Sequence, residues 1–293
     1  MSRTYKATGI NLKSMPMGET DRLVTILSPQ VGIIRVVAPG SRKHHSRLGG
    51  RSGLFVINDL LVVKGRRLDK LTQAETVRSF PGLSQHLGKL TASQYLAELV
   101  LCQALRDQPQ EDLFYLFVEH LERLEKATSA TILASLVQGI FHLLAIAGVA
   151  PEVQHCCITR EPMQPNLLDS NWRIGFSLTL GGIVHLDQLA AVASRSRPPT
   201  RATGQVGYDT VGPSGAAEII QLTALELALL QQLSQPHLRS TSNSTLDSTP
   251  HWLWYRLERL LRQYAEYHFD RPLRSATLID TCFGSPVDTS SVP

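Results

Sequence analysis

The chain has 293 residues, 43% hydrophobic and 18% charged, which reads as a folded, soluble protein of two domains rather than a disordered chain. Its formal charge of +4 hides a split: residues 1–80 carry 14 Lys and Arg against 5 Asp and Glu, a net +9, and the remainder carries 15 against 20, a net −5. Four irregularly spaced cysteines exclude a secreted disulfide framework, and the opening MSRTYKATGI lacks an apolar signal core, so a cytoplasmic protein is expected, with one unit that meets a polyanion.

Five short β-rich runs come first, Tyr5–Leu12, Arg22–Leu27, Gly32–Ala38, Leu54–Lys64 and Leu71–Phe80, separated by Gly, Pro, Ser and Asp. That many strands in so short a stretch predict a small closed barrel over residues 1–80. Between Arg35 and Arg51, Arg35, Arg42, Lys43, Arg47 and Arg51 stand with His44 and His45 and no acid, a flexible cationic loop suited to a phosphodiester chain. A second cluster, Lys64, Arg66, Arg67 and Lys70, falls at a turn of the same barrel, and the two together predict a groove. Tyr5, Phe55 and Phe80 are the barrel's only aromatics and are assigned to its core, which leaves binding led by phosphates and indifferent to sequence. Glu19 and Asp21 are read as turn formers, Asp21 or Thr20 capping backbone amides while Arg22 pairs with one of the acids.

From residue 81 to 293 the period becomes helical. Leu83 to Val100, Leu113 to Leu124 and Ile132 to Leu144 predict three helices, the third apolar nearly all round and so central, with Pro151 ending it. The 25 residues Ala127–Pro151 hold no Lys, Arg, Asp or Glu, but Thr128, Ser129, Gln138 and His142 among them favour a core helix over a membrane span, with His142 a satisfied core residue. Residues 152–190 look irregular, with a β-like pair around Arg173–Thr179 and Ile183–Leu186. Residues 194–215 and 234–249 are expected to be mobile loops, and Ala216–Leu233 and Trp252–His268 to be helices. Cys102 and Cys282 are read as small buried apolar residues.

Three stretches resemble the RecO family. They are Gly18-Glu19-Thr20-Asp21-Arg22-Leu23-Val24-Thr25 with the following Pro39-Gly40-Ser41-Arg42-Lys43, then Phe176-Ser177 with Gly181-Gly182, then Arg271-Pro272-Leu273-Arg274-Ser275. The resemblance implies an α+β, multidomain protein: an OB-fold (oligonucleotide-binding) barrel, then a mainly helical domain with a zinc-ribbon-like insertion. It also implies a homologous-recombination mediator that binds single- and double-stranded DNA, anneals complementary strands, joins RecR and, with single-stranded DNA-binding protein as partner, assists RecA indirectly. The insertion is degenerate here. Where relatives carry two Cys-x-x-Cys pairs, this chain has Cys156 and Thr159, then His185 and Gln188, so no structural zinc or other cofactor is expected unless Cys157 or His155 substitutes. No phosphate loop, His-Glu-x-x-His helix or Gly-x-Ser-x-Gly elbow occurs, which argues against an enzyme. An RNA-binding factor using the same barrel is the alternative. On the acidic helical body, Arg256, Arg259 and Arg262 near Trp252 and Tyr255 are candidate contacts for an acidic protein tail, with Trp252, Tyr255 and Leu260 assigned to packing.

Overall fold

The computed structural model describes residues 4–188, 219–235 and 249–284. Five strands, β1 (Thr4–Met17), β2 (Asp21–Ser28), β3 (Gly32–Ala38), β4 (Ile57–Val63) and β5 (Asp69–Arg78), close into a barrel in the order β1-β2-β3-β5-β4. Closure depends on β1, whose first half pairs with β4 and second half with β2, the register shifting between Asn11 and Lys13. A short parallel contact of Val36 and Val37 with Asp69 and Lys70 completes the ring. Alternation puts Val24, Ile26, Ile34, Val36, Leu60, Val62 and Leu71 inside. Phe55 and Phe80 are buried at the junction with the helices, as their assignment to the core requires.

The body begins with α1 (Pro81–Ser84) and α2 (Leu87–Gln103), then α3 (Glu111–Lys126) and α4 (Ile132–Ile146). Glu111 and Asp112 in the first turn of α3 and Arg123 and Lys126 in its last complement the helix dipole. Helix α4 is buried on nearly every face and packs on α2, α3 and a later helix, so it is the predicted centre. Pro151 does not end it. Gly148 does, at φ +76, with its amide on the Ala145 carbonyl and that of Val149 on Leu144, a glycine-terminated C-cap. Among the described residues no helix is long and apolar enough to cross a membrane.

A three-stranded sheet follows in the order β7-β6-β8, from β6 (Arg173–Ser177), β7 (Gly182–Val184) and β8 (Ile219–Thr223). Helix α5 (Ala224–Leu233) leaves it, and α6 (His251–Phe269) and α7 (Ala276–Phe283) end the described chain. The expected helix over Ala216–Leu233 is therefore wrong in its first part: Ile219–Thr223 pair along β6, and the helix starts only at a capping box of Thr223 and Glu226. Residues 194–215 and 236–248, expected as loops, lie outside the described residues. Cys102 and Cys282 are only partly buried, and α7 has no counterpart among the expected elements.

The helices are joined by a proton-bearing chain. Hydrogen-bond partners assign His142 Nε2 as donor to the Leu233 carbonyl (2.8 Å), which leaves Nδ1 to accept from His120 Nε2 (3.2 Å). His142 is thus neutral, and burial, before the neighbouring His142 and Arg123, pushes His120 down to about 3 and so keeps it neutral as well. Because the folded value lies below the unfolded one, the unfolded state binds the extra proton, and stability is lost as pH falls from about 6.5 toward 3. In urea titrations between pH 4 and 6, His120→Leu is expected to flatten the slope of unfolding free energy against pH by about 1.4 kcal/mol per unit. Equal slopes would show that His120 is protonated in the folded protein.

Candidate nucleic-acid interface

The basic segment between β3 and β4 is fastened to the barrel at several points. Gly18, at φ +63, turns β1 into β2 and presents its carbonyl to Arg42 Nη1 at 2.8 Å. The Gly40 amide donates to Asp21 Oδ1 at 2.7 Å and the Arg42 amide to the Thr20 carbonyl at 2.9 Å. Asp21 does cap backbone, but Arg22 pairs with neither acid. Its Nη1 reaches the Gly49 carbonyl (3.4 Å) and Ser52 Oγ (3.3 Å), because neighbouring residues on a strand point to opposite faces and the loop lies within its reach. From beneath, Asn11 and Asn58 clamp the Arg51 carbonyl with amide donors at 2.8 and 2.9 Å. The loop is built rather than slack.

Charge is distributed over three places. The Gly40 amide first, and then the Thr20 hydroxyl, hold the Asp21 carboxyl below its ordinary range, with Lys43 and Lys70 adding to the effect. Because Val37 pairs with Lys70 and Ala38 with Arg22, the two basic segments come together at this side of the barrel; Arg42, Lys43, Lys64, Arg66, Arg67 and Lys70 are all exposed, with Lys64 Nζ 5.8 Å over the Tyr5 ring. Arg47 and Arg51 face elsewhere, into a groove of about 930 Å³ that they share with Lys6 and with two acids, Asp59 and Glu75. Arg35 lies apart again, on the outer face of β3 beside Lys13 and Arg106. The single groove expected from the two clusters is thus one convergence with two outlying patches. Lys6, Lys13 and Arg106 escaped the sequence reading because they are isolated along the chain and adjacent only after folding. Tyr5 is partly buried against the barrel core, with its hydroxyl on Asp69 Oδ2 at 2.8 Å.

The arginines of α6 are not equivalent. Arg262, 12% exposed, is held by Glu258 (2.7 Å) and Asp280 (2.8 Å), while Arg256, though 51% exposed, is tied to the buried Glu226 and the Gln221 carbonyl (3.0 Å). Arg259 is exposed. Leu260 packs inward, but Trp252, assigned to packing, is 52% exposed because it falls on the solvent face of α6 with Arg256 and Arg259, while its neighbours Leu253 and Trp254 take the buried face.

In the insertion, Cys156 is fully buried with Thr159 where a second thiolate would stand. Burial pushes the Cys156 thiol up, but the Thr159 and His185 amides and the Thr159 hydroxyl outweigh it and hold it below the ordinary thiol range. The turn therefore directs donors at one sulfur, as a metal knuckle does, but His185 Nε2 is turned toward Glu161 at 3.9 Å, and no cluster of three His, Cys, Asp or Glu among the described residues could hold a metal. This donor set does not fit a tetrahedral thiolate site. Phe176 packs edge-on to Tyr264 with centroids 5.7 Å apart, supplying apolar support, and Trp172 is partly buried nearby.

Comparison with known proteins agrees with this architecture. The family described as "Recombination protein O N terminal" matches residues 1–80 and "Recombination protein O C terminal" matches residues 84–277. The chain is similar to proteins named DNA repair protein RecO from Gloeothece citriformis (53% identical, over 98% of this chain and 100% of that one), Acaryochloris marina (51%, 100% and 100%) and Nostoc punctiforme (48%, 99% and 100%).

Proposed function

The chain belongs to the RecO family, and from that premise we propose that it is a non-enzymatic mediator of DNA repair and recombination. It binds single- and double-stranded DNA through the barrel, anneals complementary strands and, with RecR, assists RecA in replacing single-stranded DNA-binding protein. It works in the cytoplasm, at the nucleoid. The observation that carries this reading is the pairing of Val37 with Lys70 and of Ala38 with Arg22, which brings the acid-free basic loop and the Lys64–Lys70 turn together on one side of a closed barrel as one phosphate-binding surface. Annealing of complementary strands coated with single-stranded DNA-binding protein tests it. Acceleration over background is expected, and a rate equal to background removes the mediator role. The RNA-binding alternative has no feature in its favour that DNA lacks, and competition between matched DNA and RNA strands separates the two.

The protein folds without zinc in this reading, since hydrogen bonds to Cys156 take over the role of the missing thiolates. Metal analysis after mild chelation is expected to find far less than one equivalent, with helicity retained. A tightly held stoichiometric zinc would overturn this. The tail contact on α6 now rests on Arg259, because reversing Arg256 strands a buried carboxylate. Arg259→Glu is expected to weaken binding of a labelled acidic tail peptide in anisotropy while DNA binding persists, and unchanged peptide affinity moves the contact off this helix.

A further inference from the structure

Lys13, Thr25 and Arg35 form one row across β1, β2 and β3, because Thr25 is the register partner of both. With Met15, Leu23 and Ile33 they make the outer face of these strands, and the end of α2 with the loop after it closes over this face through Leu101, Ala104 and Arg106. A cavity of about 300 Å³ remains at this seam, with three cations, an aliphatic floor and no acid in its lining. Arg106 is held in place by backbone: the Ile33 amide donates to the Leu105 carbonyl at 2.8 Å, and the Gln110 amide to Pro29 at 2.8 Å. Gly32 makes this approach possible, since a Cβ there would stand 2.2 Å from the Leu105 oxygen.

We propose that Lys13, Arg35 and Arg106 form a phosphate-binding site for single-stranded nucleic acid at the seam of barrel and helical body, an inference that rests on the function proposed above. Two arginines and a lysine around one cavity match a phosphodiester, the guanidinium forks binding its oxygens in pairs. The aliphatic floor takes sugar and base without reading sequence. The larger groove by Arg47 and Arg51 is the weaker candidate, because Asp59 and Glu75 in its lining repel phosphate. An acidic peptide would also suit three cations and an apolar floor. Nucleic acid is favoured because β3 leads from Arg35 to Ala38 in three residues, roughly 10 Å of strand, and straight into the basic loop. One strand laid along β3 reaches both. Its bound phosphate would tie the helical body to the barrel, although the body carries a net −5.

The test is a salt series of oligothymidylate binding, read by anisotropy, for Arg106→Ala and, as a second variant on a different element, Lys13→Ala. Each is expected to lower the slope of log affinity against log salt by about 0.7, the loss of one single-strand phosphate contact. If Arg42→Glu with Lys43→Glu weakens binding while both seam variants match the parent, the seam site is overturned and the proposed function stands. If none of the three changes binding, the seam site is overturned and the strand is held elsewhere, while the annealing assay alone decides the proposed function. Loss of binding to a glutamate-rich, leucine-containing peptide with unchanged DNA binding would also overturn the proposal and assign the cavity to a protein partner.

Discussion

Arg42→Glu combined with Lys43→Glu is expected to weaken binding to DNA of every sequence alike and to flatten its dependence on salt. Two lost single-strand phosphate contacts lower the slope of log affinity against log salt by about 1.4, so a fourfold dilution of salt widens the gap between parent and variant about sevenfold. Both side chains are exposed, and among the described residues the one side-chain hydrogen bond the pair contributes to the loop is that of Arg42 Nη1 to the Gly18 carbonyl, worth about 1 kcal/mol or less at such a position, while their backbone bonds survive the substitution. The Asp21 to Gly40 bond and the Arg51 carbonyl clamp remain, so the loop keeps its path. Isotherms measured from 50 to 200 mM salt decide it. A folded variant with the parent's slope would mean that the strand is held elsewhere.

Apart from the exposed Arg42 and Lys43, the motif residues behind the family resemblance are joinery. Gly18, Asp21 and Arg22 fasten the basic loop. Gly182 lets residues 151–153 pass so close that a Cβ would meet the Glu152 carbonyl at 2.2 Å. Arg274 and Ser275 present their amides to Glu98 of α2 at 3.2 and 2.8 Å, locking the end of the described chain onto the first long helix. The barrel was legible because period-two alternation and turn residues are local signals. What stayed hidden depends on partners far along the chain. Ile219–Thr223 have the β-branched character of a strand, but their pairing partner β6 begins at Arg173. Arg106 joins Arg35 only because the loop after α2 returns to β3. Arg256 looked like a surface cation, and its partner Glu226 sits at the N-terminus of another helix.

Arg262→Ala is expected to cost about 3–5 kcal/mol of stability, the toll of removing one partner from a buried ion pair, and to lower the melting temperature by on the order of 10 °C. Glu258 is fully buried and Arg262 only 12% exposed, so the carboxylate left behind has no water to turn to. Asp280, 42% exposed, suffers less from the same loss. The pH dependence identifies the cause. Burial raises the Glu258 carboxyl above its ordinary range even though Arg262 pulls it back, and without the guanidinium it rises further. A group with a raised folded value takes up its proton more readily when folded, so the variant loses stability as pH rises through that value. The deficit should therefore be smaller at pH 5 than at pH 8. Glu258→Leu with Arg262→Met removes both charges and should recover most of the loss, because an apolar pair of similar volume needs no compensation in this core. Chemical denaturation of the two variants at both pH values is the measurement. A deficit independent of pH, or one that the double replacement leaves in place, would show that Arg262 stabilises the fold through packing and not through Glu258.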